Sequence, residues 1–195
     1  MATARVPRAA REAQMLEIAT EVFCERGYAG ASMNEIARRC GVTKPMLYLY
    51  FSSKEGLYSA CLTFVGEGLI DSIEQAVAGA SGPVERVLAT ASGLFAYAEQ
   101  RDRAWWGVIY AETLPADTAV MASMQGYRDR ISAILRSAVA DLLTDPVDVD
   151  IATQALIGAG EAVLRWWVNR PESSAAELQT RLAAILTPLL TRMGG

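Results

Sequence analysis

The sequence predicts an all-α fold of about nine helices. Apolar residues recur at helical spacing in every segment long enough to classify, and capping residues and Gly or Pro breaks fall between those segments. No stretch sustains the alternation or the Asn-Gly turns of a hairpin. With 195 residues, 52% of them hydrophobic and 21% charged, the chain buries enough apolar surface to offset its conformational entropy. The expected organisation is an N-terminal three-helix domain over residues 8–53, containing a helix-turn-helix, joined to a larger helical domain over residues 54–193.

The first helix begins near Arg8, after Pro7, and its stripe of Met15, Leu16, Ala19, Val22 and Phe23 runs to Arg26, where Gly27 is expected as a left-handed cap. After a loop from Tyr28 to Ala31, Ser32 caps a second helix and Glu35 is placed to return the bond as a capping box. Gly41 breaks that helix. Thr43 is placed to cap a short third helix with Pro45 in its first turn, where no backbone donor is needed. Ser52 and Glu55 read as another capping box, opening a long fourth helix that carries Leu57, Cys61, Phe64 and Val65.

Pro83 starts a fifth helix bearing Val87, Leu88, Leu94 and Phe95, and a shorter sixth holds Trp105, Trp106, Ile109 and Tyr110 before Pro115. A seventh runs from about Thr118 through Met121, Met124, Tyr127, Ile131 and Leu135, with Pro146 marking the turn after it. The eighth, from Asp148 to Asn169, is rich in small residues (Ala155, Gly158, Ala159, Gly160, Ala162) and finishes with Trp166 and Trp167. Ser174 and Glu177 open a ninth helix with Leu178, Leu182, Ile185, Leu186 and Leu189, in which Pro188 is expected to introduce a kink.

Composition removes several classes of chemistry. The chain has no histidine, so Ser-His-Asp and Cys-His nucleophilic sites and the commonest zinc ligand are excluded together, and no metal site or cofactor is called for. Cys24, Cys40 and Cys61 lack metal spacing and read as small buried hydrophobes, with a redox-sensing thiol as the functional alternative. No apolar run approaches the roughly 20 residues of a membrane span. The start lacks the apolar block of a secretory signal, so a cytoplasmic location is expected. The net charge is −4, but residues 1–58 carry eight Lys/Arg against six Asp/Glu, +2, and the remainder ten against sixteen, −6. That asymmetry supports a polyanion partner for the N-terminal part.

The segment from Ser32 to Phe51 carries the most information. A helix-turn-helix needs a small residue where its helices cross, a turn residue tolerant of positive φ four positions later, and an apolar anchor six further on; Ala37, Gly41 and Leu47 occupy those positions. The second helix then exposes Thr43, Lys44, Pro45, Met46, Tyr48 and Tyr50 toward a major groove and its phosphate walls. Thr43 and Lys44 are suited to base edges, and the Tyr48 and Tyr50 hydroxyls to phosphate. Tyr48, Tyr50 and Phe51 as plain core aromatics is the alternative, best founded for Phe51.

The run Gly41-Val42-Thr43-Lys44-Pro45-Met46-Leu47-Tyr48-Leu49-Tyr50-Phe51-Ser52-Ser53-Lys54-Glu55-Gly56-Leu57, with Phe23, Gly27, Tyr28 and Ser32 before it, resembles the tetracycline-repressor-like (TetR) family of transcriptional regulators. The close likeness covers about the first 60 residues; beyond them only helix order and length are similar. The resemblance implies recognition-helix contacts to DNA from Thr43, Lys44, Pro45, Met46 and Tyr48, and backbone contacts from Ser32, Tyr50 and Lys54. Met46 stands where the family often has a small or polar residue, which leaves base preference there open.

Two copies of such a reader must be held about 34 Å apart to meet successive turns of duplex. The resemblance implies a four-helix dimer interface from the last two helices, here Leu156, Ala159, Val163, Trp167, Leu182, Ile185 and Leu189, although an ordinary core gives the same periodicity. It also implies an effector cavity among helices four to eight. Phe64, Phe95, Trp105, Trp106, Tyr110, Met121, Met124 and Tyr127 are the candidate lining, with core packing as the alternative for each, and Glu112 is the adjoining carboxylate. The function expected is a homodimeric regulator, by family default a repressor, that leaves palindromic operator DNA on binding a small hydrophobic or aromatic molecule. A ligand-independent DNA-binding dimer and an all-α enzyme using carboxylates such as Glu112 and Asp117 are the competing readings.

Overall fold

Among the described residues of the computed structural model, 7–101, 118–170 and 172–193, the apolar periodicity becomes eight helices and no strand. They are α1 (Arg8–Gly30), α2 (Met33–Arg39), α3 (Lys44–Phe51), α4 (Lys54–Ala78), α5 (Pro83–Gln100), α6 (Thr118–Val139), α7 (Pro146–Val168) and α8 (Ala175–Met193). The helix expected around Trp105, Trp106 and Tyr110 lies outside the described residues. The chain divides into two compact units, one whose described part is residues 7–66 and 118–124, the other formed by the remainder; the divisions fall inside α4 and α6.

The N-terminal unit is built on one apolar cluster: Met15, Ala19, Val22 and Phe23 of α1, Ile36 and Ala37 of α2, Leu47 and Phe51 of α3, and Leu57, Tyr58 and Cys61 of α4. Burying each large side chain contributes about 1.5–3 kcal/mol relative to leaving it in water, and that is what holds α2 and α3, both too short to persist alone. The Tyr58 ring packs edge-on to Phe23 and Tyr28, with centroids 4.9 and 5.1 Å apart.

Gly27 and Gly41 both take φ +65°. At Gly27 the chain bends rather than stops, because its ψ of 169° differs from a left-handed cap and a further helical turn follows to Gly30, where a loop was expected. At Gly41 the positive φ makes the tight turn that brings the Val42 N–H to the Ala37 carbonyl at 3.0 Å. A side chain at either position would be strained in that conformation.

Ser32 caps α2 as expected, accepting from the Glu35 N–H at 3.1 Å. The Glu35 carboxylate does not complete a box. It accepts from Arg39 at 2.9 Å, and Arg39 in turn grips both oxygens of Glu25 on α1 at 2.7 and 2.6 Å. Hydrogen bonding to Arg39 holds the Glu25 carboxyl below its ordinary 4.5.

The cap of α4 is shifted by one residue from the sequence expectation. Ser52 ends α3 with φ +63°, a conformation that denies it the extended backbone of an N-cap. Ser53 takes the role instead, its hydroxyl accepting from the Gly56 N–H at 2.9 Å.

In the C-terminal unit α5 packs along α8, and Val87, Leu135, Ala138, Val139, Val149 and Leu190 form a buried core from α5, α6, α7 and α8. Gly93 of α5 meets the backbone of α4 so closely that a Cβ there would lie 2.6 Å from the Ile73 Cα. Phe95 is fully buried and lies edge-on to Trp167 at 5.8 Å, while the Trp167 indole N–H donates to the Ser173 carbonyl at 2.9 Å. The Ala175 N–H donates to Glu99 at 2.8 Å, fixing the start of α8 against α5. Ser174 caps α8 through the Glu177 N–H at 3.2 Å, and the helical run passes Pro188 to Met193. α7 starts at Pro146, two residues before the expected Asp148, because Asp145 caps it through the Val147 N–H at 2.7 Å and proline suits a first turn.

Candidate nucleic-acid interface

α3 is pinned from beneath by Leu47, fully buried, and Phe51, 6% exposed. The face opposite them is open. Thr43, Lys44 and Pro45 are exposed, as is Tyr48, and Lys44 Nζ lies 5.9 Å from the Tyr48 ring centroid, so the cation and the phenol share one side of the helix. Thr43 holds the N-cap backbone, φ −82° and ψ 151°, yet its hydroxyl makes no capping bond; the expected cap interaction is absent and the hydroxyl is left at the open end of the helix. Met46 and Tyr50 are half-buried against the N-terminal core, so only part of each side chain faces outward.

The residues expected near phosphates are held by aromatic contacts. The Arg8 guanidinium lies over the Tyr50 ring at 5.1 Å, adding a cation that the sequence reading did not include. Lys54 Nζ lies 4.6 Å from the Tyr28 ring, and the Tyr28 hydroxyl donates to Glu55 Oε1 at 2.7 Å. That hydrogen bond holds the Glu55 carboxyl below its ordinary 4.5, so it stays ionised beside the lysine. Lys54 opens α4, where the helix dipole also favours an anion. Ser32 is exposed, with its oxygen engaged in the α2 cap.

Leu49 is the residue the sequence reading missed. It is 77% exposed, the most exposed large hydrophobic side chain among the described residues. The spacing held the clue: two positions beyond Leu47 is about 200° around the helix, the face farthest from the anchor.

Of the candidate effector residues, Trp105, Trp106, Tyr110 and Glu112 lie outside the described residues, as does the side chain of Met121. Phe64 and Met124 are half-buried against the N-terminal core. Phe95 belongs to the C-terminal unit, buried on Trp167, and Tyr127 is half-buried there. The α5 residue Tyr97, not singled out from sequence, is 5% exposed and its hydroxyl finds no hydrogen-bond partner among the described residues.

The candidate pairing face needs one correction. Trp167 is fully buried within its own chain, and Leu156 and Val163 are half-buried, Leu156 against the core. The open apolar face of α7 is turned away from them: Val147, Ile151 and Trp166 are 64%, 63% and 47% exposed, with exposed Ala155, Gly158 and Ala162 between. Ala159 is exposed and Leu182 half-buried, while Ile185 and Leu189 of α8 are exposed as the expectation requires.

Burial suppresses thiol reactivity. It pushes Cys61 up to about 12 and Cys40 up to about 11, the latter helped by the charge of Glu21. Among the described residues no group of His, Cys, Asp and Glu is arranged to hold a metal ion, and no helix is long and apolar enough to cross a membrane.

A short helix anchored by one leucine beyond a glycine turn, with a lysine and tyrosines on its outer side, defines a helix-turn-helix DNA-binding regulator. Residues 15–61 match the family described as bacterial regulatory proteins, tetR family, and residues 80–190 match the tetracyclin repressor-like C-terminal domain. The chain belongs to the tetR family of transcriptional regulators. It is 31% identical over 170 residues to the HTH-type transcriptional activator FasR of Mycolicibacterium smegmatis, covering 85% of this chain and 75% of that protein. A TetR-like transcriptional regulator from Rhodococcus sp. RHA1 is similar in structure with a TM-score of 0.74 at 32% identity, covering 92% of this chain and 96% of that one. FadR from Bacillus subtilis, solved in complex with stearoyl-CoA, shares the fold with a TM-score of 0.76 at 21% identity over 89% of this chain and 96% of its own. These relatives are regulators and not enzymes, which removes the enzymatic reading of Glu112 and Asp117.

Proposed function

We propose that the chain is a ligand-responsive repressor that works in the cytoplasm, binding palindromic operator DNA as a homodimer through residues 8–53 and leaving it when residues 54–193 bind a small hydrophobic molecule. The observation that carries this reading is the open face of α3, with Thr43, Lys44 and Tyr48 exposed around a helix fixed from below by Leu47. Lys44 and Thr43 read base edges; Tyr48, Tyr50, Lys54 and Ser32 grip phosphates and set the register. Pairing uses the exposed apolar side chains of α7 and α8, since such a surface is costly to leave in water. Because FadR was solved with stearoyl-CoA, acyl-CoA thioesters are the first effectors to try. Effector binding shifts the population toward an arrangement in which α4, whose first turn carries Lys54, no longer presents it to the phosphate.

The test is selection of duplexes from a random library by the full-length protein, followed by titration. Lys44→Ala and Tyr48→Phe are each expected to weaken binding about 10-fold, the scale of 1.4 kcal/mol, with unchanged melting curves. Unaltered affinity for both removes these assignments. A stearoyl-CoA titration is expected to dissociate the wild-type complex; indifference to acyl-CoA of every chain length overturns that choice of effector class.

A further inference from the structure

We propose that Leu49, with Pro45 one turn before it, reads the 5-methyl group of a thymine in each half-site; this rests on the operator-binding reading above. Leu49 is 77% exposed and Pro45 is exposed. Four positions apart, they lie only about 40° from each other around the helix, on the side opposite the buried Leu47. The outermost line of α3 is therefore apolar, bordered by Lys44 and Tyr48 on one side and by Met46 and Tyr50 on the other.

Neither side chain of that ridge donates or accepts a hydrogen bond. Pressed against guanine, adenine or cytosine it would cover polar edges without replacing the water bonded to them. Thymine alone offers a methyl group on its major-groove edge, so an apolar ridge at the point of deepest entry selects it by contact and by dehydration. Core packing does not explain the leucine: at 77% exposure it stands outside the cluster that holds Leu47 and Phe51. The flanking Lys44 supplies the attraction to duplex that brings this apolar line into the groove.

The experiment uses the full-length protein and the duplex it selects, about 30 base pairs to hold two half-sites. Each thymine is replaced in turn by deoxyuridine, which removes only the methyl group. One position per half-site is expected at which the change weakens wild-type binding about 3- to 10-fold, the scale of one buried methyl. Leu49→Ala should bind the thymine duplex that much more weakly and be indifferent to the uracil replacement, with an unchanged melting temperature. Wild-type affinity that ignores every replacement, or Leu49→Ala that keeps the methyl sensitivity, overturns the assignment of Leu49 while leaving operator binding intact. Failure to enrich any duplex overturns operator binding itself, and the methyl reading with it.

Discussion

Tyr97 is a 5%-exposed side chain with a hydroxyl that has no partner among the described residues, and burial raises its pKa. Its ring fills the space over Gly68, where a Cβ would approach it to 2.8 Å, so the packing is good and only the oxygen is unsatisfied. Tyr97→Phe should remove that penalty and stabilise the protein by about 1 kcal/mol in urea unfolding; a loss of stability would mean that the hydroxyl has a partner. Nothing in the sequence marks Tyr97, because its cost depends on what faces it across two helices. Lys44 differs: its place after a turn glycine and before a leucine anchor made its exposed position on α3 readable from spacing. Leu49 was legible in principle, through its angle to Leu47, but a leucine in a helix is ordinarily assigned to the core.

Among the elements, α3 depends most on its neighbours. Eight residues do not sustain a helix alone, so its existence rests on Leu47 in the core and on the turn at Gly41. Leu47→Ala is expected to cost about 2–5 kcal/mol, and Gly41→Ala about 1 kcal/mol from the positive φ. Leu49→Ala should fall within about 0.5 kcal/mol of wild type. Thermal unfolding followed by circular dichroism checks the order, and a Leu47→Ala protein as stable as Leu49→Ala would contradict the assignment of faces. Helix starts were readable to within a residue or two. The exchange of Ser52 for Ser53 shows the limit: both serines suit a cap, and the choice is made by which of them must turn the chain out of α3. The adjacent tryptophans of α7 show another, since neighbours on a helix differ by about 100° and periodicity alone does not say which face is covered.

For the whole molecule, fold class and the helix-turn-helix followed from sequence pattern, whereas which apolar side chains of α7 and α8 lie open to solvent is decided by packing. Val147, Ile151 and Trp166 of α7 and Ile185 and Leu189 of α8 are exposed apolar side chains of the C-terminal unit, and the proposed second copy would cover them. A dimer also doubles the counterions released on DNA and fixes the spacing of two short helices, neither of which one copy achieves. Sedimentation of the full-length protein, alone and on its selected duplex, measures this most directly. The expected result is two chains in both states, with Ile185→Asp giving a folded single copy that loses the duplex; a wild-type protein that remains a single copy while holding the duplex at full affinity would contradict the account.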